Sequence, residues 1–366
     1  MPELHFITLV QEGSHYDVGA ERGRIVRGIP SLRGFFTQTP PGAQPLERED
    51  ARARLRLMER WCPGMEEELT GFADALGLPP EGLIQLRLGA EPPRGCTLIA
   101  VDPRRSADGH TLVARSYEFS PEDELCLSVT RVPGRYAHMG FSLFQTGRFD
   151  GINERGLCAA MATCECVRPS AGESAGLAFW VALRRVLDSC ATTAEALALL
   201  GEMPLSGNTC YLLADRGGDC AVLETLADGG RTSKAVRRGD GALFAVNHYL
   251  APEHTALLPQ RRYFSAVRQQ TLERRFAAPE KIGLEELRAL LGRRLPDGLC
   301  CHAYSDWFGT LRAMLFDVTA GTMEVCFGPT DCGHWFPVDL HAAPEVTFTT
   351  VSCEDEQMPA SFWQEG

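Results

Sequence analysis

Cys96 is the residue with the clearest chemical opportunity. It follows Pro92-Pro93-Arg94-Gly95 and opens the apolar run CTLIAVD. A proline pair and a glycine keep the backbone ahead of it out of regular structure. The cysteine therefore begins a strand directly after a strainable link. Cysteine attacks as its thiolate, and its unperturbed pKa is about 8.5. On these residues alone two readings stand: a nucleophile at a strand start, or a small core cysteine. The chain holds 14 cysteines, at 62, 96, 126, 158, 164, 166, 190, 210, 220, 300, 301, 326, 332 and 353. No CxxC pair occurs, so the spacing of a structural zinc site is missing. Cys164-Glu165-Cys166 and Cys300-Cys301-His302 are the only clusters, and both read as small buried hydrophobes on strands.

The elements that would position Cys96 fall into two textures. Residues 1 to about 95 open with a short strand, Phe6 to Val10, and then read as helical. Glu49 to Leu76 carries Leu55, Leu57, Met58, Trp61, Met65, Leu69, Phe72 and Leu76 at approximate helical spacing, interrupted at Pro63-Gly64. Pro80 to Leu88 reads as a second helical piece. From Cys96 onward, CTLIAVD, HTLVARSYEF, ELCLSVTRV, HMGFSLFQ and LCAAMATCE are strand-like runs separated by turn residues. Helices are expected over Leu177 to Leu187 and Thr193 to Leu200, and strands at NTCYLLAD, DCAVLET and ALFAVNHYL. Helices follow around Arg261 to Arg275 and Leu284 to Leu295, and a last hairpin turns at Thr319 to Gly321. Blocks of strands alternating with blocks of helices predict an α+β fold of antiparallel sheets covered by helices. No repeat or low-complexity linker divides the chain.

Composition narrows the partners. Hydrophobic residues make up 44% and charged residues 23%, and the formal net charge is −12. Nucleic acid and anionic membranes both want a basic footprint, so neither is expected as a partner. The start has no basic leader followed by an apolar stretch, and no apolar run approaches a membrane span. The expected address is cytoplasmic, with the cysteines mostly reduced.

RGCTLIAVDPRRSADGHTLVARSYEF resembles the start of the mature chain in Ntn hydrolases of the isopenicillin-N (aminopenicillanic acid) acyltransferase family, and in their choloylglycine-hydrolase relatives. The shared pattern is Gly-Cys-Thr, an apolar strand, a turn with Asp-Gly, a second strand, then Arg before an aromatic and an acid. GSHYDVGAERG resembles the family's propeptide opening, and FDGINERGL its Asn-Glu-x-Gly-Leu turn. GNTCYLLADRGGDCAVLE, AVNHYL, RRYFSAVR and the closing hairpin TLRAMLFDVTAGTMEVCFGP follow in family order. The resemblance spans nearly the whole chain. It implies a four-layer αββα Ntn sandwich with a helical N-terminal propeptide, residues 1–95, cut from a catalytic fragment, residues 96–366, the two packed as one domain.

Cutting between Gly95 and Cys96 would give one residue both a thiol and an α-amine. The amine, with a pKa of about 7.7–8.0, serves as general base near neutral pH. The resemblance adds a supporting cast. Arg115 would favour the Cys96 thiolate, where the residue type alone allows a plain salt-bridge partner. Glu118 stands where relatives have an Asp that holds the α-amine, and Ser116 where an Asn is frequent. Asn153 and Asn247 match two asparagines that donate to the tetrahedral oxyanion, although Asn153 is also a natural turn residue. Arg262 matches a distal active-site arginine or is a solvated charge beside Arg261. His248 is read as substrate-contacting or structural, since an N-terminal nucleophile needs no histidine.

The expected function is a self-processing cysteine amidohydrolase or acyltransferase acting on a small linear amide or acyl substrate through a Cys96 thioester. An acyl-coenzyme A is a substrate if the enzyme is a transferase. No metal or organic cofactor is implied, and the processed fragments are expected to stay associated. Two rivals differ. A papain-like Cys-His hydrolase needs a helix after its cysteine, where CTLIAVD reads as a strand. A non-catalytic binding or scaffold protein of the same fold would keep an intact chain.

Overall fold

Burial along the central strands is continuous rather than alternating: every residue of Gly95–Val101, Leu112–Phe119 and Thr209–Asp215 is buried. Strands covered on both faces require that pattern. The computed structural model describes residues 1–38, 44–45, 47–83, 86–87, 95–123, 126–164, 176–228, 231–256 and 263–358. In chain order the elements are β1 (Glu3–Glu12), α1 (His15–Gly28), α2 (Pro30–Thr37), β2 (Gln44–Pro45), α3 (Arg48–Trp61), α4 (Met65–Leu76), a 3-10 turn (Pro80–Leu83) and β3 (Leu86–Arg87). Then come β4 (Gly95–Val101), β5 (Leu112–Phe119), β6 (Cys126–Arg131), β7 (His138–Ser142), β8 (Asp150–Asn153), β9 (Leu157–Thr163), α5 (Phe179–Ser189), α6 (Thr193–Glu202), β10 (Thr209–Asp215), β11 (Cys220–Asp228) and β12 (Arg231–Arg237). The rest are β13 (Ala242–Ala245), α7 (Pro252–Thr255), α8 (Tyr263–Ala277), α9 (Leu284–Gly292), β14 (His302–Ala303), a second 3-10 turn (Tyr304–Asp306), β15 (Phe308–Asp317), β16 (Thr322–Phe327), β17 (Trp335–Val338) and β18 (Glu345–Ser352).

Two large sheets face each other. One runs β12-β11-β10-β9-β8-β7-β6-β1-β18, the other β13-β4-β5-β15-β16-β17 with β14 added beside β15. Their inner faces share a core containing Leu4, Phe6, Cys96, Leu98, Tyr117, Phe141, Met161 and Phe327, and Phe6 stacks on Phe327 across the gap at 4.0 Å. Helices α5 and α6 cover the first sheet, while α8 and α9 cover the second through Ile99, Ala114, Leu272 and Leu287. This is the αββα layering that the sequence predicts.

Residues 1–95 are not an appendage. β1 lies inside the first sheet, parallel to β6 and antiparallel to β18. Helices α1 and α4 pack closely because glycines line their contact: a Cβ at Gly19 would lie 1.8 Å from the Glu68 carbonyl oxygen. A charged cluster is sealed between this segment and the rest. Arg184 on α5 bridges Glu68 on α4 (3.0 Å) and Asp188 (2.9 Å). Asp188 accepts from His138 Nε2 (2.9 Å), and Arg148 Nε donates to His138 Nδ1 (3.0 Å). His138 is therefore held as a neutral imidazole.

Several expectations change. One holds: the interruption expected at Pro63-Gly64 separates α3 from α4, with Gly64 at φ +97°. The helix expected over Pro80 to Leu88 is only a 3-10 turn, with β3 beyond it; residues 84–85 and 88 lie outside the described residues. Asn153 ends β8 and opens the turn to β9, its carbonyl accepting from Gly156 N at 2.9 Å, as a turn residue would. ALFAVNHYL stops being strand at Ala245. Strands β12, β17 and β18 are additional; β18 is largely exposed, so its sequence carries no burial pattern to announce it.

The sealed cluster sets the acid response. Burial, with Arg148 adding to it, pushes the His138 pKa down to about 3 from 6.5. Burial works against the Asp188 charge, yet Arg184 holds its carboxyl down to about 2. In both cases the unfolded chain binds the proton first, so stability is lost as pH falls, through His138 below about 6.5 and through Asp188 below about 3.8. Urea unfolding at pH 7 and pH 5 should show a decrease on the order of 1–2 kcal/mol at pH 5. A flat profile over that interval would contradict the neutral His138.

Candidate active site

The register of β4 and β5 sets Cys96 opposite Tyr117, Gly95 opposite Glu118 and Leu98 opposite Arg115. Because side chains alternate across a strand, Cys96, Arg115 and Tyr117 face the other sheet, while Thr97 and Glu118 face helix α8. On the other side β13 pairs with β4 as far as Ala245↔Leu98. The chain leaving β13 brings Asn247 back beside Cys96.

Asn247 and Arg268 then hold the Cys96 backbone from both sides. Cys96 N donates to Asn247 Oδ1 at 2.7 Å. Arg268, on α8, donates from Nη2 to the same Oδ1 at 2.6 Å and from Nη1 to the Cys96 carbonyl and Thr97 Oγ1. One N–H of the Asn247 amide donates to the Thr163 carbonyl at 2.8 Å, which fixes the amide plane. Glu118 Oε2 lies 3.5 Å from Arg268 Nη1, and its Oε1 is buried without a hydrogen-bond partner among the described residues. Burial raises the Glu118 pKa against the pull of Arg268.

The thiol is closed off. Cys96 is 1% exposed, and burial raises its pKa while Arg115 is the main opposing charge. Arg115 is itself buried, with Nε 2.7 Å from Asp150 Oδ2 and Nη1 donating to the Met161 carbonyl. Gly95 has no room for a side chain: an added Cβ would stand 2.5 Å from Phe308 Cζ and 2.7 Å from Glu118 Cβ.

Of the residues singled out from sequence, Cys96, Gly95, Glu118 and Asn247 meet directly here, and Arg115 joins through its charge. Asn153 does not join them. Its two N–H groups donate to the carbonyls of Leu187 (2.9 Å) and Cys190 (2.8 Å), and its Oδ1 accepts from Arg155 N and Leu157 N. It ties the end of α5 to the β8–β9 turn, with no N–H left for an oxyanion. His248 is buried with Nδ1 on Ser265 (2.7 Å) and Nε2 on Gln269 (2.7 Å), both from α8. Arg262 lies outside the described residues, as do residues 91–94 ahead of Gly95.

Sequence reasoning passed over Arg268 and Asp150. Arg268 ends RRYFSAVR, and it shares a helical stripe with Ser265 and Leu272, all buried. An arginine on an apolar stripe is the signal that would have found it. Asp150 would have needed the partner strand, since its role is to face Arg115 across the two sheets.

Two facing sheets between helical layers, with a strand-initial cysteine held by an asparagine and an arginine, form an Ntn-hydrolase sandwich. The chain belongs to the acyl-coenzyme A:6-aminopenicillanic acid acyl-transferase family, whose model matches residues 105–331; it is an acyltransferase or amidohydrolase of the Ntn class. The match spans Arg115, Glu118, Asn247 and Arg268 and begins after Cys96. Among solved structures, penicillin V acylase from Agrobacterium tumefaciens is similar at 19% identity and a TM-score of 0.43, over 69% of this chain and 90% of that one. A mutant of conjugated bile acid hydrolase from Clostridium perfringens is similar at 12% and 0.44, over 72% and 99%. The Caenorhabditis elegans ortholog of N-acylethanolamine-hydrolyzing acid amidase is similar at 13% and 0.43, over 61% and 93%. No curated protein matches the sequence.

The packing around Gly95 gives a direct test. Gly95→Ala should destabilise the chain by roughly 1–3 kcal/mol, the cost of overpacking a filled site, measured by denaturant unfolding. Unchanged stability would mean that Phe308 and Glu118 yield freely.

Proposed function

We propose that the chain is the precursor of a cysteine Ntn enzyme that cuts its own Gly95–Cys96 bond and then acts on a linear amide or acyl substrate through a Cys96 thioester. The observation that carries this is the 2.7 Å hydrogen bond from Cys96 N to Asn247 Oδ1, completed by Arg268 on the Cys96 carbonyl. A side-chain acceptor already sits where the free α-amine would be held after cleavage.

In the maturation step the Cys96 thiol attacks the Gly95 carbonyl carbon. The C–N bond breaks, the acyl group passes from nitrogen to sulfur, and water hydrolyses the thioester. A Gly95 carboxylate and a Cys96 amine result. In turnover the amine takes the thiol proton, the thiolate attacks the substrate carbonyl, and the leaving group departs with a proton. Water or an amine then accepts the acyl group. Asn247 contributes twice: Oδ1 orients the Cys96 nitrogen, and the N–H not bonded to Thr163 is the candidate oxyanion donor. Arg115 favours the thiolate. Glu118, backed by Arg268, lies beside Gly95 and is the acid nearest the new chain ends.

A buried, raised-pKa thiol suits an uncut precursor, because a thiol is a poor nucleophile until its site opens. The fragments would stay together, since β1 is paired on both edges and Glu68 is sealed against Arg184. An acyl-coenzyme A is the acyl donor if the acceptor is an amine rather than water. The proposed address is the cytoplasm, in keeping with the free cysteines among the described residues. No described helix is long and apolar enough to cross a membrane.

Intact mass decides the first claim. Wild type should give two co-purifying fragments, the larger starting at Cys96, and Cys96→Ala a single chain. An intact wild-type chain after long incubation, still folded, would favour a scaffold protein. Iodoacetamide should label Cys96 slowly in the uncut form and ahead of the other cysteines once cut, read by peptide mass. Asn247→Ala should lower turnover per folded, processed molecule by roughly a hundredfold to a thousandfold, the scale of a lost oxyanion donor. Near-normal turnover with a lower Tm would make Asn247 purely structural.

A further inference from the structure

Away from Cys96, three side chains of different chemistry converge on one point. Cys300 Sγ lies 3.6 Å from His302 Nε2 and 3.7 Å from Asp331 Oδ1, and His302 Nε2 lies 2.9 Å from the same Oδ1. A Cys-His-Asp relay would place the acid on one ring nitrogen and the thiol on the other. Here both meet Nε2, so the trio cannot pass a proton along the ring. A tetrahedral zinc with ligand bonds of about 2.0–2.3 Å separates its ligand atoms by roughly 3.3–3.7 Å. The two sulfur separations already fit, and the third opens to that range when the metal replaces the hydrogen bond.

The surroundings hold the trio in place. Cys300 N donates to the Arg293 carbonyl (2.9 Å) and the Cys300 carbonyl accepts from Leu295 N (2.9 Å). His302 pairs with Gly309 in the sheet, and its carbonyl accepts from Glu356 N. Arg294 Nε sits 2.5 Å from Asp331 Oδ2, which leaves Oδ1 turned to the cluster. Such an outer partner is what orients a ligating carboxylate. Cys300 and His302 are each 1% exposed, while the Asp331 side chain is 15% exposed and marks the way in.

We propose that Cys300, His302 and Asp331 form a binding site for a thiophilic divalent cation, zinc being the best fit to a sulfur, nitrogen and oxygen donor set, with water as the fourth ligand. Thiolate and carboxylate together balance the cation's charge, and imidazole binds neutral through Nε2. Binding releases the Cys300 proton to solvent, so affinity rises with pH. The site pins the segment that leads into β15, where Cys301 N donates to Thr310 Oγ1 and Thr310 stands opposite Glu118. It stands independently of the reaction proposed for Cys96.

The test uses full-length protein as purified, stripped with a chelator and titrated with cobalt(II), then with zinc. One equivalent of cobalt should give a thiolate-to-cobalt band and the visible bands of a tetrahedral ion, and zinc should displace it. Zinc should raise the wild-type Tm. Cys300→Ser should abolish the thiolate band, and Asp331→Asn should weaken zinc binding at least tenfold. Cys332→Ala, one residue beyond Asp331, should leave the cobalt spectrum unchanged. No saturable cobalt spectrum in folded wild type overturns the site, without recourse to any variant. So does a thiolate band that survives Cys300→Ser or vanishes with Cys332→Ala alone.

Discussion

A guanidinium group keeps its charge at any pH a protein meets, so an arginine in the interior must be given partners. Arg22, Arg115, Arg148, Arg184, Arg268 and Arg312 are all fully buried, and their partners organise the molecule. Arg184 joins the N-terminal helices to α5 through Glu68. Arg22 reaches Gln11 on β1 and Ser128 on β6. Arg115 and Asp150 clamp the two sheets together, and Arg268 ties α8 to β4 at Cys96. Among the described residues Arg312 makes no hydrogen bond from its guanidinium nitrogens; it lies over the rings of Tyr117 and Phe141, each at 4.1 Å, with Asp150 3.9 Å away. Breaking one such buried pair leaves an uncompensated charge, at a cost of roughly 3–5 kcal/mol.

The same constraint shapes the chemistry. Cys96 is flanked by Arg115 on the sheet side and Arg268 on the helix side, with Glu118 between Gly95 and Arg268. The cations favour thiolate, while burial and Glu118 oppose it. Burial prevails over the two cations and raises the Cys96 thiol's pKa.

Legibility in the sequence followed locality. Strands such as CTLIAVD and TCYLLAD announce themselves because both faces are buried, so nearly every position ahead of the closing Asp is apolar or small. The break between α3 and α4 was visible because Pro63 and Gly64 are local signals. Cys96, Glu118 and Asn247 were accessible through ordered motif pieces. What was hidden depended on contacts between distant segments. Asp150 needs the opposite sheet to acquire a purpose, and the amide of Asn153 was absorbed by α5, more than thirty residues downstream. Arg262 and Arg268 stand in one quoted motif, and only helical phase points to the second. β18 is exposed on both faces, so no period marks it.

β1 precedes both of its sheet neighbours in the chain and waits for the second of them. Its neighbours in the sheet are β6, parallel to it, and β18, which pairs Glu3 with Ser352 and Val10 with Glu345. β18 has no other partner in the nine-stranded sheet. β18 must therefore be synthesised before β1 can be closed on both edges. Contacts of such sequence separation are entropically the slowest to form. Until then β1 exposes one unpaired edge, a template for pairing with another chain. The hazard in making this protein thus lies in its synthesis, in the interval between β1 and β18.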